Sequence, residues 1–234
     1  MSGSFARKLD RLTELDSIAG DLPLALPREL LREENGGIIG FTMRRCEGKP
    51  LRNLICNGWD GHDPTAVFRN LTLLLLELHC RHIIVNDLSF NNIMVDSSDN
   101  VFLVDCDSFQ IFDYPGGGIT DIYRHPDIGC AYCHAVLRQP RHEYFAFAVL
   151  LFQCLFYDDP LRQIQQADDD RTLNWNNAAF PLDIWGKYGS NANRSLLELW
   201  EQQDLQIRKL FADTFHFRSD CSFGAWIRAM DLLA

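Results

Sequence analysis

Long apolar runs are missing from this chain. The longest, Phe145 to Tyr157, is interrupted by Gln153 and falls well short of the roughly 20 residues that span a bilayer. It predicts a buried helix, and no membrane partner. Met1 leads into a polar segment with Arg7, Lys8 and Asp10, so no apolar leader core is expected there, and the location expected is cytoplasmic. Basic residues are in deficit, 22 Lys and Arg against 32 Asp and Glu for a formal net charge of -10. A nucleic-acid partner is therefore not expected, because neutralising phosphates needs a basic face. Internal repeats and low-complexity tracts are lacking as well.

What is present is core material: 47% of residues are hydrophobic and 12% aromatic, enough for one sizeable core or a core plus a small satellite lobe. Eight cysteines are scattered at 46, 56, 80, 106, 130, 133, 154 and 221. Without a secretory leader they are expected as reduced thiols rather than a disulfide framework.

Periodicity gives an outline. Leu9, Leu12 and Leu15 predict an amphipathic helix over Phe5 to Ile18. Prolines 23 and 27 and the pair Gly36-Gly37 punctuate two short runs, Leu24 to Leu31 and Ile38 to Met43, which predict a β-hairpin that Glu47-Gly48-Lys49-Pro50 ends. Asp63-Pro64 starts a helix to Arg81, with Val67, Phe68, Leu71, Leu74, Leu75 and Leu78 on its apolar face. Ile93 to Val95 and Val101 to Val104, around the turn-rich Asp96 to Asn100, predict a second hairpin. Gly116-Gly117-Gly118 predicts a flexible loop, and helices are expected over Arg141 to Tyr157, Ser195 to Phe215 and Ser222 to Leu233.

One string carries chemistry. Asp87 and Asn92 form D-x-x-x-x-N directly before an apolar strand, and thirteen residues past Asn92 comes Asp105 at the end of the next strand. Phosphoryl transfer needs a carboxylate to orient the attacking hydroxyl and two oxygen ligands to hold Mg2+ against the phosphates. A hairpin between the loop and Asp105 brings its two ends together, so residues distant in sequence can meet. Taken alone, such residues more often cap turns.

The string resembles the protein-kinase catalytic loop, H-R-D-x-x-x-x-N, followed by the metal-binding D-F-G aspartate. The resemblance continues in register. Ile38 to Gly48 resembles the hinge strand and linker, Pro64 to Arg81 the helix before the loop, and Arg141 to Tyr157 the central buried helix, with Glu143 in place of an aspartate. Tyr123 to Asp127 resembles A-P-E, and Arg218 stands where the late arginine pairs with that acid. Asp105 to Gln110 also resembles a bacterial kinase-like branch opening D-x-D-S-F-Q.

This resemblance implies an α+β, protein-kinase-like fold: a reduced N-terminal lobe and hinge strand over 1–46 and a mostly helical C-terminal lobe over 47–234. It implies ATP and Mg2+ as cofactors, Asp87 as base, and Asn92 and Asp105 as metal ligands. Met43, Arg44, Cys46, Ser89, Asn92 and Asp105 are the implied nucleotide contacts. The implied function is ATP-dependent phosphotransfer with a protein as substrate or regulated partner; the alternative is a pseudokinase acting as a binding or regulatory module. Small-molecule phosphotransfer, as in aminoglycoside kinases, shares the D-x-x-x-x-N logic but fits the Glu143 and Arg218 regions less well.

The departures have consequences. Val85 and Asn86 replace His and Arg, so no arginine here reads a phosphate on the following loop. Ser89 replaces a lysine, and Asp107 replaces the glycine of D-F-G. No G-x-G-x-x-G precedes the first helix. Lys8 is the only lysine before residue 49 and falls in a helix, not a strand, and Glu14 has no strand lysine to meet.

Cys130-Ala131-Tyr132-Cys133-His134 matches a haem-attachment pattern and, with His125 and His142, the residue types of a zinc site. Short patterns recur by chance. The purified chain is expected to carry neither haem nor stoichiometric zinc, by visible absorption and elemental analysis. Zinc that disappears in Cys133→Ser would overturn this.

Overall fold

Helix α1, Gly3–Ile18, buries Lys8, Leu9 and Leu12 on one face and leaves Asp10, Arg11 and Glu14 in water. It opens a computed structural model that describes residues 3–18, 21–128, 136–157, 182, 194–215, 217 and 219–231. The chain forms two compact units, Met1–Ile119 with His134–Arg138, and Thr120–Cys133 with Gln139–Ala234. The architecture is α+β, as expected.

In the first unit, strands β1 (Pro27–Arg32) and β2 (Ile38–Met43) pair antiparallel. The sequence reading began this hairpin at Leu24. Leu24, Ala25 and Leu26 are instead buried, and the segment runs beside Leu103: Ala25 donates to the Leu103 carbonyl at 2.9 Å, and Leu103 to that of Pro23 at 2.9 Å. Proline lacks a donor and suits the first position of a strand, so the hairpin opens at Pro27.

Gly48, at φ +131°, makes the turn into β3 (Lys49–Pro50), where an added Cβ would stand 2.5 Å from the Val95 carbonyl oxygen. Strand β3 and the short helix α2, Leu51–Cys56, had no periodic signal and were missed. Helix α3, Pro64–Cys80, starts as expected: the Asp63 carboxylate accepts from the Thr65 amide at 2.9 Å, and all six predicted apolar positions are buried.

Strand β4 is Ile83–Ile84, β5 Ile93–Val95, β6 Val101–Leu103 and β7 Gln110–Ile111. β5 and β6 form the expected hairpin, in the register Ile93↔Leu103, Met94↔Phe102 and Val95↔Val101. β3 joins its free edge through Lys49↔Val95, and β4 pairs with β7. All these pairings are antiparallel.

The second unit is helical in its described part. Helix α4, Pro140–Phe156, is buried on nearly every face, and Tyr157 closes it in the left-handed conformation at φ 51°. The reading expected one helical stretch from Ser195 to Phe215. Two helices are found, α5 (Arg194–Gln202) and α6 (Leu205–Phe215), because Asp204 accepts from the Gln206 amide at 2.7 Å and starts a new helix. Helix α7, Phe223–Asp231, completes the unit.

Its core is aromatic. Phe211 is fully buried, 5.3 Å from the Phe152 ring centre and 5.0 Å from that of Trp226, in tilted or edge-on contacts. Among the described residues no helix is long and apolar enough to cross a membrane, and six cysteines are free thiols.

Phe211→Ala is expected to destabilise the protein by about 3–5 kcal/mol in chemical denaturation. A loss no greater than that of the half-exposed Leu73→Ala would show that the cluster does not carry the core.

Candidate functional site

The site is assembled by the β5–β6 hairpin. The Val104 amide donates to the Asn92 carbonyl at 3.0 Å, which sets Asn92 and Asp105 together at the open end of the ladder, away from its turn. Asn92 is held by its own side chain: Nδ2 donates to the Asp87 carbonyl oxygen at 3.0 Å and to Asp87 Oδ2 at 3.1 Å. These bonds fix the amide's orientation and leave its Oδ1 without a protein donor among the described residues.

Asp105 takes the left-handed conformation at φ 61°, ψ 38°. Aspartate tolerates this better than most residues. The Ser108 hydroxyl and amide both bond the Asp105 carbonyl, at 2.8 and 3.1 Å, and tie it into the 3-10 turn Cys106–Ser108. Burial raises the Asp105 carboxyl above the ordinary aspartate range, reinforced by the Asp107 carboxylate, which also hydrogen-bonds it, and by Asp87. Asp105 thus lies in the field of two further acids, Asp107 and Asp87.

The donor set fits a hard cation: one carboxylate, from Asp105, and one amide oxygen, from Asn92. Among the described residues no group of three or more His, Cys, Asp or Glu is placed to hold a metal alone. A cation held by this pair would take its other oxygens from phosphate and water, which is the habit of Mg2+.

The remaining expected contacts fall elsewhere. Arg44 and Cys46 line a cleft of about 950 Å³ with Arg45, Lys49, Asp60 and His62, and its lining includes none of Asp87, Ser89, Asn92 or Asp105. Arg44 lies over the Phe102 ring at 5.7 Å, and Lys49 pairs with Asp60 at 2.6 Å. The cleft's charges are largely answered within it, so the carboxylate cluster is the better chemical centre. Met43 is exposed at the end of β2. Ser89 is buried, and its carbonyl accepts from the Asn92 amide at 3.1 Å, so it shapes the loop.

Asn86, also left-handed at φ 66°, joins the loop to two distant segments. Its Nδ2 donates to the Gly117 and Gly118 carbonyls at 3.1 and 2.7 Å, and its Oδ1 accepts from Arg138 Nε at 2.9 Å. Gln110 closes the network, accepting from the Arg138 amide at 2.6 Å and donating to the Arg138 carbonyl at 3.0 Å. The glycine triplet, read as a flexible loop, is therefore pinned. Gly116 is required because a Cβ there would stand 2.4 Å from Asn86 Cγ.

Lys8, which the sequence shows only as a helical lysine, is buried, and its ammonium donates to the Asp107 carbonyl at 2.7 Å. Its place beside Leu9 and Leu12 on one helical face was the available signal. Glu14 is exposed and pairs with Arg11 at 2.6 Å. In the second unit Asp127 pairs with Arg141 at 2.6 Å. Arg218, its expected partner, and the Cys130, Cys133 and His134 pattern lie outside the described residues.

The chain matches no protein-family model and no curated relative.

Gly116→Ala is expected to cost about 1–3 kcal/mol by chemical denaturation, as overpacking does. Gly118→Ala is the control, since an added Cβ there meets nothing within 4 Å. Equal stability of the two variants would refute the pinning.

Proposed function

We propose that this chain is a protein-kinase-like, ATP-dependent phosphotransferase that binds a Mg2+-nucleotide at Asn92 and Asp105 and uses Asp87 as its base, with a protein as substrate or regulated partner. The observation that carries this reading is the bond from Asn92 Nδ2 to Asp87, across a hairpin that also delivers Asp105. A loop aspartate and asparagine that merely capped turns would have no need to lie beside a second aspartate from the other strand of the hairpin.

Each residue has a definite task. Asp87, with Oδ2 steadied by Asn92, accepts the proton of an acceptor hydroxyl and orients its oxygen. Asn92 offers Oδ1 and Asp105 its carboxylate as oxygen ligands. Bound Mg2+ would supply charge neutralisation between the phosphate oxygens. Asn86, Gly116 and Arg138 keep the loop in one shape, and positioning is most of what phosphoryl transfer asks of a protein.

A binding-only reading, the pseudokinase, shares this site and differs in turnover. The observation that favours it is that β1 and β2, the strands ahead of residue 49, carry no lysine for the phosphates.

Calorimetry with ATP is expected to show binding in Mg2+ that is lost in EDTA and in Asp105→Ala. Equal binding in EDTA would refute the metal assignment. With radiolabelled ATP and broad acceptors, transfer is expected from wild type and not from Asp87→Ala. Transfer that survives Asp87→Ala would refute the base, and Mg2+-dependent binding without any transfer would establish the binding module.

A further inference from the structure

Lys8 is a buried cation with no ion pair among the described residues. It is 4% exposed on the inner face of α1, and its one bond among the described residues goes to a main-chain carbonyl, that of Asp107, 99 residues away. A carbonyl is satisfied equally well by a neutral donor, which would not carry an ammonium's desolvation cost. Burial lowers the Lys8 pKa to about 8, and the nearby Asp107 carboxylate offsets this only in part. Two of the three ammonium N–H donors are unused by described residues.

The location gives these donors a use. Lys8 rests on the 105–107 turn, whose first residue is the proposed metal ligand and whose carboxylates are crowded. That crowding repels a bare anion. It accepts an anion that arrives with a divalent cation, as a polyphosphate does. Lys49, the next lysine in the chain, is exposed and paired with Asp60.

Resting on the Mg2+-nucleotide reading, we infer that Lys8 binds the nucleotide's phosphates, so that helix α1 supplies the lysine that strands β1 and β2 lack. A lysine contributes here as a compact point charge. The same ammonium holds the Asp107 carbonyl, so phosphate binding and the seating of α1 on the turn are coupled through one group.

The test is calorimetry on the full chain with Mg2+-ATP and with adenosine, for wild type, Lys8→Met and Lys8→Arg. Lys8→Met is expected to weaken Mg2+-ATP about 10- to 100-fold, the effect of losing a charge-assisted bond, while adenosine binding is unchanged and Lys8→Arg recovers part of the loss. Unchanged Mg2+-ATP affinity in Lys8→Met, or equal weakening of ATP and adenosine, overturns the assignment and makes Lys8 a structural latch. Wild type that binds no Mg2+-ATP removes the parent reading, a distinct outcome.

Labelling wild type avoids any folding defect of the variant. An ATP acyl-phosphate acylates an amine lying beside its phosphates and releases the nucleotide. Mass spectrometry is expected to find the label on Lys8, suppressed by excess Mg2+-ATP. Label only on Lys49, Lys187 or Lys209 overturns the inference.

Discussion

The register of one short hairpin governs the first unit. Ile93 must face Leu103 for the Val104 amide to reach the Asn92 carbonyl, and a slip of one residue would turn every side chain on the ladder to the opposite face. Ile93, Val95, Val101 and Leu103 are buried on one side, which makes such a slip costly. The same ladder accepts β3 on one edge and residues 23–25 on the other. A pairing three residues long thereby fixes the spacing of Asn92 and Asp105.

Charge is handled unevenly around this frame. On the surface, ion pairs such as Arg32 with Asp10 and Arg81 with Glu77 contribute little. At the 105–107 turn, where Asp105 is exposed and Asp107, like Asp87 nearby, is half-buried, one buried lysine attaches to the Asp107 carbonyl. Beside them, Asn86, Gln110 and Arg138 form a polar network whose amide donors and acceptors meet in pairs. Chemical potential for binding thus collects at the turn, while the neighbouring network serves rigidity. Asn86 does both tasks of a clamp, since its amide can donate to two carbonyls and accept from a guanidinium at once.

Much of this could be read from the residues. Helix α3 was legible because its apolar spacing, Asp63 cap and Pro64 all agree, and the β5–β6 hairpin because its turn residues separate two apolar runs. The Asp87, Asn92 and Asp105 set stood out only through its resemblance to the kinase loop, since its spacing alone is that of many capped turns. Elements of two residues, β3, β4 and β7, are too short for any period to show. The break between α5 and α6 was masked by continuous apolar spacing across Asp204. Lys8 counts in the sequence only as a lysine in a helix rather than a strand, and the packing of α1 is what shows it buried. Gly116 to Gly118 gave a composition signal with a different meaning, since Gly116 permits the close approach of Asn86 and the Gly117 and Gly118 carbonyls hold its amide.

Arg138 also bears on the order in which the protein can be finished. It belongs to the first unit, yet the chain passes through Thr120–Cys133 of the second before reaching it. During vectorial synthesis, residues 1–119 emerge with Asn86 and Gln110 still lacking the guanidinium and main-chain groups that complete them. A fragment cut near residue 119 would carry Asp87, Asn92 and Asp105 but not this closing piece. In such a fragment the Asn86 amide oxygen and the Gln110 side chain would lack the partners that Arg138 gives them.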